Sequence, residues 1–175
     1  MEKNLILCGF MGSGKTTVGK RLARLLSKPF VDMDEYIALS SGRTIAALFE
    51  ERGEAGFRAL EQEACRALGA TGGQIIATGG GALLFARNVR VLKKNGVILF
   101  LHVEPDTVKR RLSGDDTRPL LNRPDRDSAM ETLYAARVPL YRQSADHEFK
   151  ADGTPEVVAK SIVKWLSEGE ISVFL

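Results

Sequence analysis

The chain has 175 residues, of which 44% are apolar, so it can form one domain, residues 1–175, with a sizeable core. Lysine plus arginine number 25 against 22 aspartate plus glutamate, and a net charge of +3 does not by itself indicate a nucleic-acid partner. The apolar runs are short and no signal-like segment begins the sequence, so we expect a cytoplasmic protein that binds neither nucleic acid nor a membrane. Cys8 and Cys65, without CxxC spacing, are expected to be small core residues.

Five short apolar runs alternate with segments of helical periodicity, and they comprise residues 5–8, 30–31, 74–77, 97–103 and 147–150. This alternation predicts a parallel sheet with helices on both faces, a three-layer α/β/α sandwich, because crossover connections are right-handed almost without exception. Two helical faces are apolar, one formed by Val18, Leu22, Leu25 and Leu26 and one by Val157, Val158, Ile162, Trp165 and Leu166. Ligands of such sheets bind beyond the carboxyl ends of the strands.

The stretch GFMGSGKTT, residues 9–17, lies between the first apolar run and the first helical segment. It fits GxxxxGK[ST] with Gly9, Gly14, Lys15 and Thr16. Glycines let backbone N–H groups turn around phosphate oxygens, and Lys15 can reach the outer phosphates. The Thr16 hydroxyl can then ligate Mg²⁺. A glycine-rich turn with a solvated lysine is the alternative, but the spacing in this context favours a polyphosphate site.

The stretch FVDMDEY places Asp32 and Asp34 two residues apart after the second apolar run. We expect both at the end of a strand, where alternate side chains point the same way, toward the crevice beside the phosphate site. Asp32 could then orient the magnesium shell, and Asp34 could accept a hydrogen bond from an attacking substrate hydroxyl. The alternative is that Asp34 only caps a helix that begins at Glu35.

Arg58 and Glu61 are three residues apart on one predicted helix, so they can form an ion pair that orients the guanidinium, although a surface ion pair is the commoner meaning of this spacing. Residues 79–81 are three consecutive glycines after the third run, where the backbone could approach a ligand or form a plain flexible turn. Arg137 shares a helical face with Leu133, Tyr134 and Tyr141 and needs an anion or an intramolecular acidic partner.

The stretch SGDDTRPLLNRPDRD, residues 113–127, has no periodicity, and a loop of that length in a compact domain is usually functional or disordered. Its mixture of polar and apolar residues suits a lid that folds over a filled site and excludes water. Arg118 could stabilise the charge on a transferring phosphate, or it could belong to a solvated loop.

Six motifs in this order resemble the shikimate kinases, relatives of the nucleoside monophosphate kinases, over nearly the whole chain: GFMGSGKTTVGKRLA, FVDMDEYI, GEAGFRALE, ATGGGA, TRPLL and ARVPLY. The resemblance implies a P-loop NTPase fold with a five-stranded parallel sheet of order 2-3-1-4-5 and a mobile lid. It also implies transfer of the γ-phosphate of ATP to the 3-hydroxyl of shikimate, on the route to aromatic amino acids. We therefore expect ATP and shikimate as substrates, Mg²⁺ as cofactor and a monomer.

The resemblance further implies roles for individual residues. The catalytic residues would be Lys15 at the transferring phosphate, Asp34 at the acceptor hydroxyl and Arg118 in the lid, and Thr16 and Asp32 would serve Mg²⁺. The nucleotide site would comprise Gly12, Ser13, Gly14, Lys15, Thr16, Thr17, Arg118 and, near adenine, Arg111 with the segment around Thr154 and Pro155. The substrate-binding region would comprise about residues 33–61. Shikimate would be contacted by Asp34, Ile45, Phe49, Phe57, Arg58, Gly79, Gly80, Gly81, Leu120 and Arg137. Among these residues, Arg58 and Arg137 would bind its carboxylate.

Two other functions stay open from the residues alone. One is another small-molecule kinase of the same architecture, such as a gluconate or nucleoside monophosphate kinase. The other is a regulatory nucleotide-binding module, although the sequence has neither an NKxD-type guanine motif nor a DxxG. The tail EGEISVFL, residues 168–175, matches no part of the family pattern.

Overall fold

The computed structural model describes residues 2–113 and 125–169. Its five strands form one parallel sheet in the order β2-β3-β1-β4-β5. The strands are β1 (Asn4–Cys8), β2 (Phe30–Asp32), β3 (Ile75–Ala77), β4 (Gly96–His102) and β5 (His147–Lys150). The structure therefore confirms the expected strand order and all five expected strands.

Helices connect successive strands and cover the sheet. They are α1 (Lys15–Leu26), α2 (Met33–Ser41), α3 (Ile45–Ala70), α4 (Ala86–Lys93), α5 (Pro105–Leu112), α6 (Arg126–Ser144) and α7 (Pro155–Glu168). A short 3₁₀ helix, Ala82–Leu84, follows β3. Helix α1 packs against α7, whereas α3 packs against α4 and both α3 and α6 contact the 3₁₀ helix. The result is the three-layer sandwich that the alternating pattern predicts.

The central strands form the core. Residues 5–8 of β1 and 98–101 of β4 are at most 1% exposed, as expected for parallel strands that helices cover on both faces. Cys8, the last residue of β1, and Cys65, in α3, are both fully buried. Burial raises the pKa of each thiol to about 12. Both cysteines are therefore core residues, as predicted.

The buried faces of α1 and α7 contain fewer residues than the apolar faces predicted from the sequence. In α1, Leu22 is buried but Leu25 is 45% exposed, and in α7, Val158 is buried but Val157 is 62% exposed. At about 100° per residue, Val157 points away from the buried face of α7, which is formed by Val158, Ala159, Ile162 and Leu166, and Leu25 lies at the margin of the buried face of α1. The expectation that Leu25 and Val157 share these faces is therefore wrong.

Helix α3 contains a kink that the sequence analysis does not predict. Gly53 has φ 66° and ψ −177°, so the helical backbone is interrupted between residues 45–52 and 54–70. Together with α2, the first part of α3 makes up most of the expected substrate-binding region.

None of the helices formed by residues 2–113 and 125–169 is long and apolar enough to cross a membrane.

The strand register brings the ends of three strands to one edge of the sheet. Leu7 of β1 pairs with Ala77 of β3, and Ala77 pairs with Asp32 of β2. The chain therefore leaves β1, β2 and β3 at the same level. Glycine-rich segments follow β1 and β3 there, and an acidic segment ends β2, so one edge of the sheet collects most of the predicted site.

Candidate active site

A cleft of about 520 Å³ opens at this edge of the sheet. Its walls are the segment after β1, the first turns of α1 and α2, both parts of α3, the segment after β3, and α6. It is lined by Met11, Gly12, Gly14, Lys15, Thr16, Thr17, Asp32, Asp34, Ile45, Phe49, Glu54, Phe57, Arg58, Glu61, Thr78, Gly80, Gly81 and Arg137. Most of the predicted site residues therefore share one pocket.

Residues 9–14, the phosphate loop, connect β1 to α1 by a turn that only glycine adopts easily. Gly12 has φ 76° and Gly14 has φ 87°, and α1 begins directly after Gly14. Lys15 Nζ folds over the loop and donates to the carbonyl oxygens of Gly9 at 2.8 Å and Phe10 at 3.2 Å. The helix N-terminus and this ammonium group give the loop the positive character that suits a phosphate.

Asp32 is the N-cap of α2. Its Oδ1 accepts hydrogen bonds from the backbone N–H of Asp34 at 3.0 Å and of Glu35 at 3.4 Å. Helix α2 begins at Met33, so Asp34 lies in its first turn and not on a strand with Asp32. The strand-alternation argument is therefore wrong, and so is the alternative in which Asp34 is the cap. Both carboxylates still line the cleft.

Thr16 and Asp32 form the candidate metal site. Thr16 Oγ1 donates to Asp32 Oδ2 at 2.7 Å, so a hydroxyl and a carboxylate oxygen meet beside the phosphate loop. These are hard oxygen donors of the kind that Mg²⁺ uses together with water and phosphate oxygens. Within the described ranges, no group of three or more His, Cys, Asp and Glu residues could hold a metal ion. A phosphate-bound Mg²⁺ needs only one or two protein oxygens, so the pair fits.

Arg58 is held by two carboxylates of α3. Its Nη1 donates to Glu61 Oε2 at 2.6 Å and its Nη2 donates to Glu54 Oε1 at 3.1 Å. Glu61 is 1% exposed and Arg58 is 9% exposed, so the surface ion pair left open by the sequence is wrong. Burial raises the pKa of Glu61, and the ion pair with Arg58 opposes this shift. Burial would lower the pKa of Arg58, but its bonds to Glu61 and Glu54 raise it.

Residues 79–81, the glycine turn, pass directly over these charged groups. A Cβ on Gly79 would lie 2.7 Å from Asp34 Oδ1 and 2.8 Å from Glu61 Oε1. A Cβ on Gly81 would overlap the Arg58 guanidinium, with Nη2 at 2.7 Å. The turn is thus bare because it is in close contact with the side chains below it, which a plain flexible turn would not explain.

Arg137 reaches the cleft from α6. It is 8% exposed, and no carboxylate of the described residues forms an ion pair with it. Its Nη1 would lie 3.7 Å from a Cβ on Gly80, and the Tyr141 hydroxyl one turn later donates to the Gly80 carbonyl. Burial raises the pKa of Tyr141 to about 12, although the Arg137 charge opposes this shift. The arginine is thereby left able to bind an anion in the cleft.

A family model described as shikimate kinase matches residues 11–167 of the chain. The chain belongs to the shikimate kinase family. The shikimate kinase of Stenotrophomonas maltophilia (strain K279a) is 42% identical over 168 residues, which are 93% of each chain. The shikimate kinase of Symbiobacterium thermophilum is 42% identical over 171 residues, 95% of this chain and 98% of that one. The solved structure of shikimate kinase from Acinetobacter baumannii in complex with shikimate aligns with a TM-score of 0.92 and 34% identity, covering 98% of this chain and 97% of that one.

Membership of the shikimate kinase family confirms the resemblance drawn from the six motifs. The family consists of ATP-dependent kinases with a P-loop, which argues against the alternative of a regulatory nucleotide-binding module. The gluconate and nucleoside monophosphate kinases are disfavoured for the same reason.

The apolar side of the cleft comes from α3. The rings of Phe49 and Phe57 stack with their centroids 4.3 Å apart at 27°, across the Gly53 kink. Ile45 lies one helical turn before Phe49 and also lines the cleft. The three apolar residues of α3 expected around a substrate ring therefore line the same cleft as the charged residues, and the Arg58 guanidinium lies 5.9 Å from the centroid of the Phe57 ring.

The residues predicted on the adenine side lie outside this cleft. Pro155 begins α7 and lines an adjacent groove of about 510 Å³, which shares Thr16 and Thr17 with the cleft. Arg111 is next to the last residue of α5 and hydrogen-bonds to carbonyl oxygens of two loops. Ser13 is buried inside the phosphate loop, where its N–H donates to the Phe10 carbonyl.

The predicted lid, about residues 113–127, falls mostly outside the described part of the chain, and so do Arg118 and Leu120. Helix α5 ends at Leu112, and α6 begins at Arg126 inside the range expected for the loop. Residues 170–175 of the tail also lie outside, whereas Glu168 ends α7.

Sequence reasoning missed three residues of the site. Glu54 is four residues before Arg58, a helical pairing distance that the sequence contains but that we did not use. Thr78 follows β3 at the ligand-binding edge and donates to the Leu7 carbonyl. Tyr141, one turn after Arg137, supports the glycine turn. For Thr78 and Tyr141 no short-range pattern indicates the contact, since their partners are more than 60 residues away.

Proposed function

We propose that the chain phosphorylates the 3-hydroxyl of shikimate with the γ-phosphate of ATP and releases shikimate 3-phosphate and ADP. The observation that carries the proposal is the cleft shared by Lys15, Asp34, Arg58 and Arg137. It combines an ammonium group beside a phosphate loop, a carboxylate and two buried guanidinium groups. That combination suits a small hydroxy acid that reacts with a polyphosphate.

The donor half of the site would be the phosphate loop with Lys15. The N–H groups at the start of α1 favour phosphate oxygens, and Lys15 Nζ is held next to them by the Gly9 and Phe10 carbonyls. A cation in this position stabilises the negative charge on the transferring phosphoryl group. Thr16 and Asp32 would hold Mg²⁺, which would neutralise charge on the phosphates when bound.

The acceptor half would be Asp34 together with the arginine pair. Asp34 would accept a hydrogen bond from the attacking hydroxyl and orient it, or remove its proton, as the phosphoryl group arrives. Arg58, kept in a fixed plane by Glu54 and Glu61, and Arg137 would bind the planar carboxylate of shikimate. Phe49 and Phe57 would cover the apolar side of the ring.

The same proposal extends to the lid and to the state of the protein. Arg118 would enter from the lid to stabilise the transferring phosphate. Arg111 and Pro155 would hold the adenine. As expected from the sequence, we further propose that the chain works as a cytoplasmic monomer of one domain, without nucleic acid or a membrane.

The proposal is tested by ATP consumption over a panel of acceptors. We expect turnover with shikimate that far exceeds turnover with gluconate, with AMP, and with the methyl ester of shikimate, which lacks the negative carboxylate. Preferential turnover of gluconate or AMP would refute the substrate assignment. Equal turnover of shikimate and its methyl ester would refute the role of the arginine pair but not the kinase activity.

A further inference from the structure

Arg111 connects two loops that no strand pairing joins. Its Nη1 donates to the Gly12 carbonyl of the phosphate loop at 3.0 Å. Its Nη2 donates to the Ala151 carbonyl at 2.9 Å and also approaches the carbonyls of Asp152 at 3.2 Å and Gly153 at 3.3 Å. Residues 151–153, the β5–α7 loop, precede Pro155 on the predicted adenine side. One guanidinium group therefore contacts both halves of the proposed nucleotide site.

The sheet joins these two loops only indirectly. The phosphate loop follows β1 and the β5–α7 loop follows β5, and β4 lies between those two strands. Within residues 2–113 and 125–169, no backbone hydrogen bond runs from one loop to the other. The backbone thus joins the two loops only through β4, whose His102 carbonyl accepts from the Ala151 N–H, whereas Arg111 supplies hydrogen bonds that join them directly.

The contact with Gly12 also fixes the shape of the phosphate loop. A trans peptide is planar, so the Gly12 carbonyl and the Ser13 N–H move as one unit. Arg111 binds the carbonyl end, and the Ser13 N–H donates to the Phe10 carbonyl at 3.1 Å. The end of α5 closes on this peptide, because a Cβ on Gly12 would lie 3.4 Å from Leu112 Cγ. Both ends of the peptide unit are therefore anchored.

We propose that Arg111 is a positioning residue that holds the phosphate loop and the β5–α7 loop at a fixed spacing. It thereby promotes binding of the phosphates of the nucleotide as well as of its base. The inference rests on the proposed function, since it assumes that the phosphate loop binds ATP. An arginine suits the role because its in-plane N–H groups can bind several carbonyls while both faces of the plane remain open to an aromatic base. A lysine can also donate to more than one carbonyl, but its donors share a single nitrogen and it has no flat face for a base.

The test uses a ligand that has phosphates but no base. We expect Arg111→Ala to weaken the binding of inorganic tripolyphosphate with Mg²⁺, measured by calorimetry, at least fivefold. Arg110→Ala is the matched control: it removes the same charge from the neighbouring residue of α5, whose guanidinium, among the residues that the structure describes, bonds only to the Thr107 hydroxyl. Arg110→Ala should bind tripolyphosphate as the wild type does. Arg111→Lys, which retains the charge but loses the planar guanidinium group, should bind tripolyphosphate as weakly as Arg111→Ala does.

Three results would overturn the proposal. One is that Arg111→Ala weakens ATP binding but binds tripolyphosphate as tightly as the wild type does, because Arg111 would then contact the base alone. The second is that Arg111→Lys restores wild-type binding, or that Arg110→Ala loses as much as Arg111→Ala, because charge alone would then explain the effect. The third is a wild-type protein that binds neither tripolyphosphate nor ATP, which would refute the nucleotide site and the proposed function with it.

A measurement on the wild type covers the case in which Arg111→Ala does not fold. Tripolyphosphate lacks the part of ATP that would reach the β5–α7 loop. If Arg111 transmits the ordering of the phosphate loop, tripolyphosphate should slow amide hydrogen exchange at Asp152 and Gly153. Unchanged exchange at both residues, with the ligand bound, would overturn the proposal.

Discussion

At the scale of single residues, the site depends on side chains that point into one cleft from separate elements. Asp34 stands in the first turn of α2, where its position follows from the cap that Asp32 provides. Arg58 is fixed by Glu54 and Glu61 and lies under the glycine turn. The groups to which we assign the chemistry are therefore held in place before a substrate binds.

Replacing Asp34 by Asn tests the acceptor side. Asp34→Asn retains the size of the side chain but removes the charge, so we expect kcat to fall about 10²- to 10⁴-fold, the usual range for loss of a general base. The affinity for ATP should be largely retained. Glu35→Gln, which removes an exposed charge from the next residue of α2, should leave both constants unchanged. Near-normal turnover of Asp34→Asn would reject the role.

Two alanine substitutions in the glycine turn separate its two contacts. Gly81 has φ −100°, which alanine adopts easily, so the backbone accepts Gly81→Ala, but the methyl group should displace the Arg58 guanidinium. We expect a higher KM for shikimate and a lower Tm, because the buried pair of Arg58 and Glu61 is disturbed. Gly79→Ala places its methyl group against Asp34 and Glu61, so it should lower kcat as well. Steady-state kinetics and thermal melts check both, and identical kinetics for the two variants would contradict these contacts.

At the scale of elements, α3 has two functions that its kink divides. The part before Gly53 carries Ile45 and Phe49 toward the apolar side of the cleft, and the part after it carries Phe57, Arg58 and Glu61. Thr44 caps the helix by accepting a hydrogen bond from the Ala47 N–H at 3.2 Å. A straight helix of this length would point its first two turns elsewhere.

Replacing Gly53 tests the kink. Its φ of 66° with ψ −177° belongs to a region that essentially only glycine occupies, so Gly53→Ala should lower the free energy of unfolding by about 1–3 kcal/mol. The KM for shikimate should rise because Phe49 shifts. Arg52→Ala, an exposed neighbour with helical backbone, should change neither quantity. Urea unfolding and kinetics provide the measurements, and a wild-type result for Gly53→Ala in both would show that the kink is dispensable.

A contact between secondary-structure elements joins β4, β5 and α6 behind the site. Glu148 of β5 accepts hydrogen bonds from Arg142 Nε at 2.6 Å and Nη2 at 2.9 Å, and its Oε1 lies 3.0 Å from His102 Nδ1. The bonds from Arg142 lower the pKa of this carboxyl below its usual value of 4.5, although partial burial opposes the shift. Glu148 therefore fastens α6, which carries Arg137, to the edge of the sheet.

The lowered pKa of Glu148 gives a pH dependence with a definite sign. The folded protein releases this proton at a lower pH than the unfolded chain, so the pair stabilises the fold above about pH 4.5 and loses this effect as the pH falls through the folded-state pKa. Wild type should therefore be more stable than Glu148→Gln at pH 7, and the difference should shrink toward pH 3 in urea unfolding. Glu63→Gln, an exposed residue without a described ion pair, should show no such trend. A pH-independent difference for Glu148→Gln would contradict the assignment.

At the scale of the whole molecule, the parallel sheet with β1 at its centre places the phosphate loop, the cap of α2 and the glycine turn on one edge. The sequence has only two cysteines, Cys8 at the end of β1 and Cys65 in α3, and both are buried. Because neither thiol reaches solvent, the cysteines report on opening of the fold as a whole.

Thiol labelling tests this property. The pKa of both thiols is raised to about 12 by burial, so alkylation by iodoacetamide at pH 8 should require unfolding. Shikimate at about 100 times its Kd should slow labelling about 100-fold, since a ligand of the folded state stabilises it by RT ln(1 + [L]/Kd). In urea both thiols should react quickly. Fast labelling of the native protein would show that the core opens locally.

Much of the fold and part of the site follow from short-range patterns. Alternating apolar runs and helical segments determined the five strands almost to the residue, because the side-chain period depends only on neighbouring positions. The order of the strands, by contrast, came from the resemblance to a family, since nothing local states which strands are neighbours. The spacing GxxxxGK[ST] likewise indicated the phosphate loop without knowledge of the rest of the chain.

What the sequence by itself determined are the elements, the phosphate loop and the residue types of the site, because these depend on the nearest positions along the chain. Only the tertiary structure decided that Asp32 and not Asp34 is the cap, that the pair of Arg58 and Glu61 is buried, and that Arg111 joins two loops. The cap is a local contact that depends on where β2 ends and α2 begins. The burial of the ion pair and the Arg111 contacts depend on segments up to about a hundred residues away, and packing of the complete sheet and its helices sets them.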